Sequence, residues 1–156
     1  MEHFKKLNGL DVNEHVEKKN GLSYLSWAWA WATVKKEYPG ASYKIIKDEN
    51  GKAYFGDEKI GYMVYTEVTI EGMTHEMWLP VMDLRNKSIL QPTTFDINKS
   101  IMRCLTKNLA MFGVGLYIYA GEDLPEAEEP KKEEPKKTET NELITESQQK
   151  ILLLIS

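Results

Sequence analysis

An α+β fold is the class this sequence predicts, and three observations predict it. Residues 23–38 and 96–112 space their apolar side chains at helical intervals. Between them the chain alternates apolar and polar residues in runs broken by turn dipeptides. After Asp123 the composition shifts abruptly to Pro, Glu and Lys. The expected architecture is an antiparallel β-meander of three to five strands packed against two main helices. A disordered acidic, Pro- and Lys-rich linker follows. The expected boundaries are a folded domain at 1–124, a linker at 125–142 and the start of a further helix at 143–156.

Residues 1–21 are polar and patchy and support one short helix around 13–19. Residues 23–38 read SYLSWAWAWATVKKEY. Their Trp–Ala alternation imitates a strand, but the alanine content and the continuation into TVKKEY favour a helix. On a helical wheel Trp27, Trp31, Val34 and Tyr38 share a face, which is assigned to the core. Trp29 points the other way, as a residue that stacks on a base or lies in a subunit interface. Ser23 or Ser26 caps the start, and Pro39-Gly40 ends the helix.

Strands follow. Residues 41–47 lead into Asp48-Glu49-Asn50-Gly51, where Asn-Gly is a strong hairpin signal, and 52–55 is the expected returning strand. Residues 62–71 alternate, with Tyr62, Val64, Thr66, Val68 and Ile70 on one face. Glu71-Gly72 turns the chain into 74–79, which sets Met77 and Leu79 opposite Trp78. Tyr54, Phe55, Tyr62 and Tyr65 offer a stacking or interface surface, of which Tyr65 is the candidate retained, but aromatics are equally good sheet formers. Residues 80–92 form a loop carrying Arg85 and Lys87. Gly113 suits the C-terminal cap of the helix at 96–112, and 116–119 is expected to be a final short strand.

The helix that starts at about Thr94 or Asp96 and ends at Phe112 carries the chemistry. Ile97, Ile101, Met102, Leu105, Leu109 and Phe112 fall on one side, and Lys99, Arg103 and Lys107 recur at i, i+4 and i+8 on the other. Asp96 is the only acidic residue in the helix, and stacked like charges repel mildly. An anion over the row would relieve them, although a solvated helix face is the plainer alternative. Arg85 and Lys87 precede the helix and would extend the same positive groove.

The net charge of −4 is concentrated in the tail, so a nearly neutral body can still hold nucleic acid if its cations cluster. Cys104 is the single cysteine, which excludes an internal disulfide and a Cys-based zinc site. It lies at the edge of the apolar stripe and reads as a buried, inert thiol. No run reaches membrane-spanning length and no signal-peptide core is present, so a cytoplasmic protein is expected. An enzyme is not expected. His75-Glu76 lacks the second histidine of a zinc-protease helix, there is no phosphate-binding P-loop, and Gly113-Val114-Gly115 is too short for a dinucleotide. No metal and no cofactor are expected.

Three stretches together resemble a known family: GLSYLSWAWAWATVKKEYPGASYKI, WLPVMDLRNK and FDINKSIMRCLTKNLAMFGVGLYIYAGEDLP. They look like phage single-strand annealing proteins of the Sak/Erf kind, a group once classed as a domain of unknown function and placed in the Rad-fifty-two-like superfamily. The resemblance spans about residues 20–124, and LYIYAGEDLP is its most specific part. It implies a subunit of a ring or helical filament, with single-stranded DNA in a groove between the hairpin region and the basic helix. By motif position it assigns Arg103 and Lys107 to phosphate contact. Lys99, Arg85 and Lys87 extend that assignment by charge geometry. The eukaryotic relative carries adjacent basic residues near the helix end, where Thr106-Lys107 offers one.

The expected function is ATP-independent annealing of complementary strands by an oligomer in phage recombination and repair, with a phage exonuclease or single-strand-binding protein as further partners. A passive single-strand-binding accessory protein and an interaction scaffold without annealing activity are the alternatives. The end of the chain, LITESQQKILLLIS, reads as a truncated helix or as a segment that docks on a partner.

Overall fold

Alternation along a single long strand sets the centre of the fold. The computed structural model describes residues 2–19 and 22–119. In chain order they form α1 (Glu2–Asn8), a 3-10 turn (Asn13–His15), β1 (Val16–Lys19), β2 (Leu22–Leu25) and α2 (Trp27–Glu37). Then come β3 (Ser42–Ile45), β4 (Phe55–Asp57), β5 (Gly61–Ile70), β6 (Met73–Pro80), α3 (Thr94–Met111) and a 3-10 turn (Leu116–Tyr119). The expected linker at 125–142, the helix at 143–156 and the AGEDLP end of the most specific motif lie outside the described residues.

β5 buries Val64, Thr66, Val68 and Ile70 on one face, as its alternation predicts. Glu71 and Gly72 both have positive φ (49° and 78°), the pattern of a type I′ turn. That turn pairs β6 with β5 from Ile70↔Met73 to Met63↔Pro80. β6 accordingly buries Met77 and Leu79 and exposes Trp78.

The expected meander is corrected at its other edge. β3 pairs with β5 at residues 66–69, and β4 pairs with β5 at 61–63. Since β6 occupies one edge of β5, β3 and β4 share the other, end to end. The Asn50-Gly51 turn does form, closed by the Asp48 carboxylate, which accepts the backbone N–H of Asn50 at 2.8 Å and of Lys52 at 2.9 Å. It joins two pieces of one interrupted edge strand instead of a hairpin, because β5 is long enough to take both.

The N-terminal expectations are also corrected. The helix expected at 13–19 is a single 3-10 turn followed by β1, and Ser23 lies in β2, antiparallel to β1. The helix starts at Trp27 with Ser26 as its cap, the hydroxyl accepting from the Trp29 N–H at 3.4 Å. In the sequence, Asn20-Gly21, a dipeptide typical of hairpin turns, separates the two segments that pair. Residues 116–119 form a 3-10 turn, not a strand.

α3 lies across β5 and β6, and α2 packs beside it. Leu105, Leu109 and Phe112 join Leu7, Val12, Ala30, Val34, Val68 and Ile70 in one apolar cluster. Ile101 and Cys104 join Val64, Met77, Leu79 and Val81 in a second. Met102 packs against both. The stripe is not wholly apolar, because Ser100, Thr106 and Asn108 are buried too. The Asn108 amide donates to the Thr66 carbonyl (3.2 Å), the Thr66 hydroxyl (3.2 Å) and the His75 carbonyl (3.1 Å), pinning α3 to both strands.

Gly113 follows α3 with φ +119°. A Cβ there would come within 2.8 Å of the Asn8 nitrogen and the Phe4 carbonyl oxygen, so α1 rests directly on this glycine. Gly113→Ala is therefore expected to lower unfolding stability by roughly 2–3 kcal/mol, from left-handed strain plus displacement of α1. A shift of the urea midpoint at unchanged m-value would show it.

Candidate nucleic-acid interface

The basic row is built by a well-anchored helix. Thr93 and Asp96 form a capping box: the Thr93 hydroxyl accepts the Asp96 N–H at 3.2 Å, and the Asp96 carboxylate accepts the Thr93 N–H at 2.9 Å. The one carboxylate of α3 is thus committed to its N-terminus, where the helix dipole also favours it. It does not neutralise the cations further along.

Lys99, Arg103 and Lys107 do share a side of α3, but the row is not straight. Each four-residue step advances about 40° around the axis, so the row swings about 80° between Lys99 and Lys107. Burial follows that slant. Lys99 is exposed, while Arg103 and Lys107 are half-buried. Lys107 is near enough to Cys104 to favour its thiolate electrostatically.

Arg103 meets a residue that the sequence reading did not single out. Its guanidinium lies 4.8 Å from the ring centroid of Tyr24, on β2. A guanidinium over a ring uses its flat face for the contact, while its N–H donors radiate in its own plane. The contact braces Arg103 against the ring and spends none of its N–H donors on a hydrogen bond to the Tyr24 hydroxyl, which is buried without a partner among the described residues. Helical spacing over residues 23–38 hides Tyr24, because its place on β2 depends on pairing with β1 upstream.

Arg85 and Lys87 are exposed in a tight loop. The Asp83 carboxylate accepts their backbone N–H groups at 2.8 and 3.0 Å, and Asn86 adopts φ 62°. Asp83 is thereby a loop-forming residue. The described contacts of Arg85 and Lys87 stay within this loop and do not join them to the row on α3.

The aromatic candidates separate. Trp29 is half-buried, packs against the first core cluster and stacks on His15 with centroids 4.1 Å apart. Trp27, assigned to the core on the helical wheel, is 44% exposed; the buried line of α2 runs through Ala30 and Val34 instead. Trp27 is the first residue of α2 and lies beyond the end of that buried line. Tyr65 alternates with the inward Val64 and Thr66, so it lies on the sheet face turned away from α3, edge-on to Phe55 at 5.2 Å. The sheet itself separates Tyr65 from the basic row.

Cys104 is fully buried, and its sulfur contacts the Thr66 hydroxyl and the Met77 carbonyl, both at 3.4 Å. Burial pushes its thiol up to about 11. It is the inert thiol the sequence suggested. Among the described residues no three His, Cys, Asp or Glu side chains cluster as metal ligands, and no helix is long and apolar enough to cross a membrane.

A family model described as Sak Single Strand Annealing Protein matches residues 2–150. The chain belongs to that family of single-strand annealing proteins. Comparison with curated proteins and comparison with solved structures each returned no match.

Cys104 provides a check on the packing beneath the row. At pH 8 a thiol at about 11 is thiolate in roughly one molecule in a thousand. Alkylation by iodoacetamide should be at least about a hundredfold slower in the native protein than in denaturant. The raised value also fixes a sign. The native state holds its proton more tightly than the unfolded chain, so this contribution is complete below about pH 9 and declines as pH rises towards 11.

Proposed function

We propose that this protein binds single-stranded DNA along α3 and promotes ATP-independent annealing of complementary strands as an oligomer. The observation that carries the reading is the Lys99–Arg103–Lys107 row, with Arg103 held against Tyr24, in a chain of the single-strand annealing family. In this reading Arg103 and Lys107 contact phosphates, Tyr24 orients Arg103, and Lys99 lengthens the track. Arg85 and Lys87 serve as outlying phosphate contacts.

The mechanism follows from where the free energy lies. Phosphate contacts are sequence-independent and reduce repulsion between two backbones. A strand held by its phosphates keeps its bases open to a second strand. Base pairing then supplies both recognition and driving force, so no bond is made or broken in either strand and no nucleotide is hydrolysed. The protein acts as an ordering surface rather than an enzyme. A ring or filament lines up many short tracks, and each added subunit lengthens the strand that can be presented.

The Rad-fifty-two-like placement, a phage origin, action in the bacterial cytoplasm, and cooperation with an exonuclease or single-strand-binding protein belong to the same proposal. The mixed α+β architecture and the family support it.

Binding to oligo-dT should weaken with salt, with a log–log slope near −0.7 for each phosphate contacted. Arg103→Ala with Lys107→Ala should make that slope shallower by about 1.4, and Lys99→Ala by about 0.7 at most. Fluorescence anisotropy across a salt series measures both, with circular dichroism to confirm folding. Affinity that does not respond to salt would rule out the phosphate track. Complementary oligonucleotides with a quenching pair test the rest. An annealer speeds duplex formation without ATP, whereas a passive protector slows it.

A further inference from the structure

The sheet face turned away from α3 carries its own pattern. Pairing across β3, β5 and β6 aligns Ser42 with Thr69 and Thr74, and Lys44 with Glu67 and Glu76. In the next row Ile46 donates its N–H to the Tyr65 carbonyl, and Tyr65 lies opposite Trp78. Along β5 this face reads Tyr65, Glu67, Thr69. Along β6 it reads Trp78, Glu76, Thr74. β6 therefore repeats, on the outer side, the aromatic–Glu–Thr column that β5 presents to β3.

Three features of β6 are unexplained by the single chain. Its outer edge is unpaired among the described residues, since β6 pairs with β5 alone. Glu76 is the one carboxylate on β6, which carries no lysine and no proline before its last residue, Pro80, so that edge has a single charge where exposed edges often carry lysine or proline as well. Glu76 stands directly opposite Glu67, a destabilising juxtaposition, and neither carboxylate is ion-paired among the described residues. Beside them Trp78 is 53% exposed.

We propose that the outer edge of β6 is a subunit contact whose occupant is β3 of a second copy of this chain. In that pairing Thr74 stands beside Ser42 of the second copy, Glu76 beside its Lys44 and Trp78 beside its Ile46. β3 and β6 both run antiparallel to β5, so they are parallel to each other, and a neighbouring copy presents β3 to β6 in parallel. The outer edge of β3 is likewise unpaired among the described residues. Each row then continues with the chemistry it already has inside one subunit: hydroxyl beside hydroxyl, cation beside Glu, aliphatic beside aromatic. The incoming Lys44 relieves the Glu67–Glu76 repulsion. The contact joins two different edges, so it is head-to-tail and propagates into a ring or filament. The inference deepens the oligomeric reading above, on which it rests for its context, by naming the surfaces that meet.

Charge exchange tests it in the full chain. Glu76→Lys and Lys44→Glu alone should each weaken self-association about tenfold or more, read as a shift to smaller species in sedimentation velocity. The double variant Glu76→Lys with Lys44→Glu should restore the wild-type species. Glu76 and Lys44 are both exposed, and Glu76→Lys removes a repulsion, so its thermal midpoint should be kept or raised while its oligomer disperses. Single variants that sediment like wild type, or a double variant that stays dispersed, would overturn the contact, as would a wild-type chain that is monomeric at all concentrations. Strand annealing by the wild-type protein is measured in parallel. Annealing with no charge-exchange effect removes the interface and leaves the functional reading standing. A charge-exchange effect without annealing does the reverse.

Discussion

The attachment of α3 to β5 and β6 is the constraint on which the rest of the structure depends. Asn108 donates from the helix to both strands at once, and the side chains around it enter both apolar clusters. An amide buried without those acceptors would carry a desolvation cost of about 1–3 kcal/mol, so the helix cannot rotate or slide without losing them. That lock orients everything else on α3. It turns Phe112 and Gly113 towards α1, and it sends Lys99, Arg103 and Lys107 to the opposite side.

The same lock divides the molecule electrostatically. The face of α3 away from the sheet is basic, with Arg103 braced by an aromatic ring. The face of the sheet away from α3 is aromatic and acidic at its centre, through Tyr65, Trp78, Glu67 and Glu76. On the reading proposed above, the surface for nucleic acid and the surface for a second subunit lie on opposite sides of the apolar core, so strand binding would not compete with assembly.

Several expectations drawn from the residues agree with the structure because they rest on local periodicity. The burial of alternate residues along β5 and β6, the turn at Glu71-Gly72 and the extent of α3 are of this kind, and so is the buried thiol of Cys104. The errors arose where two local signals compete. Leu22–Leu25 runs straight into the Trp–Ala segment, and the helical propensity of the latter masked a strand whose partner lies upstream. Asn50-Gly51 is a genuine turn, but a turn does not say which strand its arms will pair with. The helical wheel puts Trp27 in the core because it treats the face as continuous, whereas the buried part of that face runs through Ala30 and Val34 and stops short of the first residue, Trp27.

The candidate site divides the same way. Lys99, Arg103 and Lys107 were legible as a row because helical spacing is a property of the chain alone. Tyr24 was not, since its meeting with Arg103 joins residues far apart in sequence. What the amino-acid sequence determined by itself was composition, periodicity and turn chemistry: which segments are amphipathic, where the chain reverses, and where its cations line up. What only the tertiary structure decided was partnership. β5 drew both β3 and β4 to one edge, the slant of the basic row set how far each cation emerges, and the sheet put Tyr65 and the α3 cations on opposite sides. The reason is physical. Periodicity is enforced by backbone geometry within a few residues, whereas pairing and stacking depend on which distant surfaces the core brings within a few ångströms of each other.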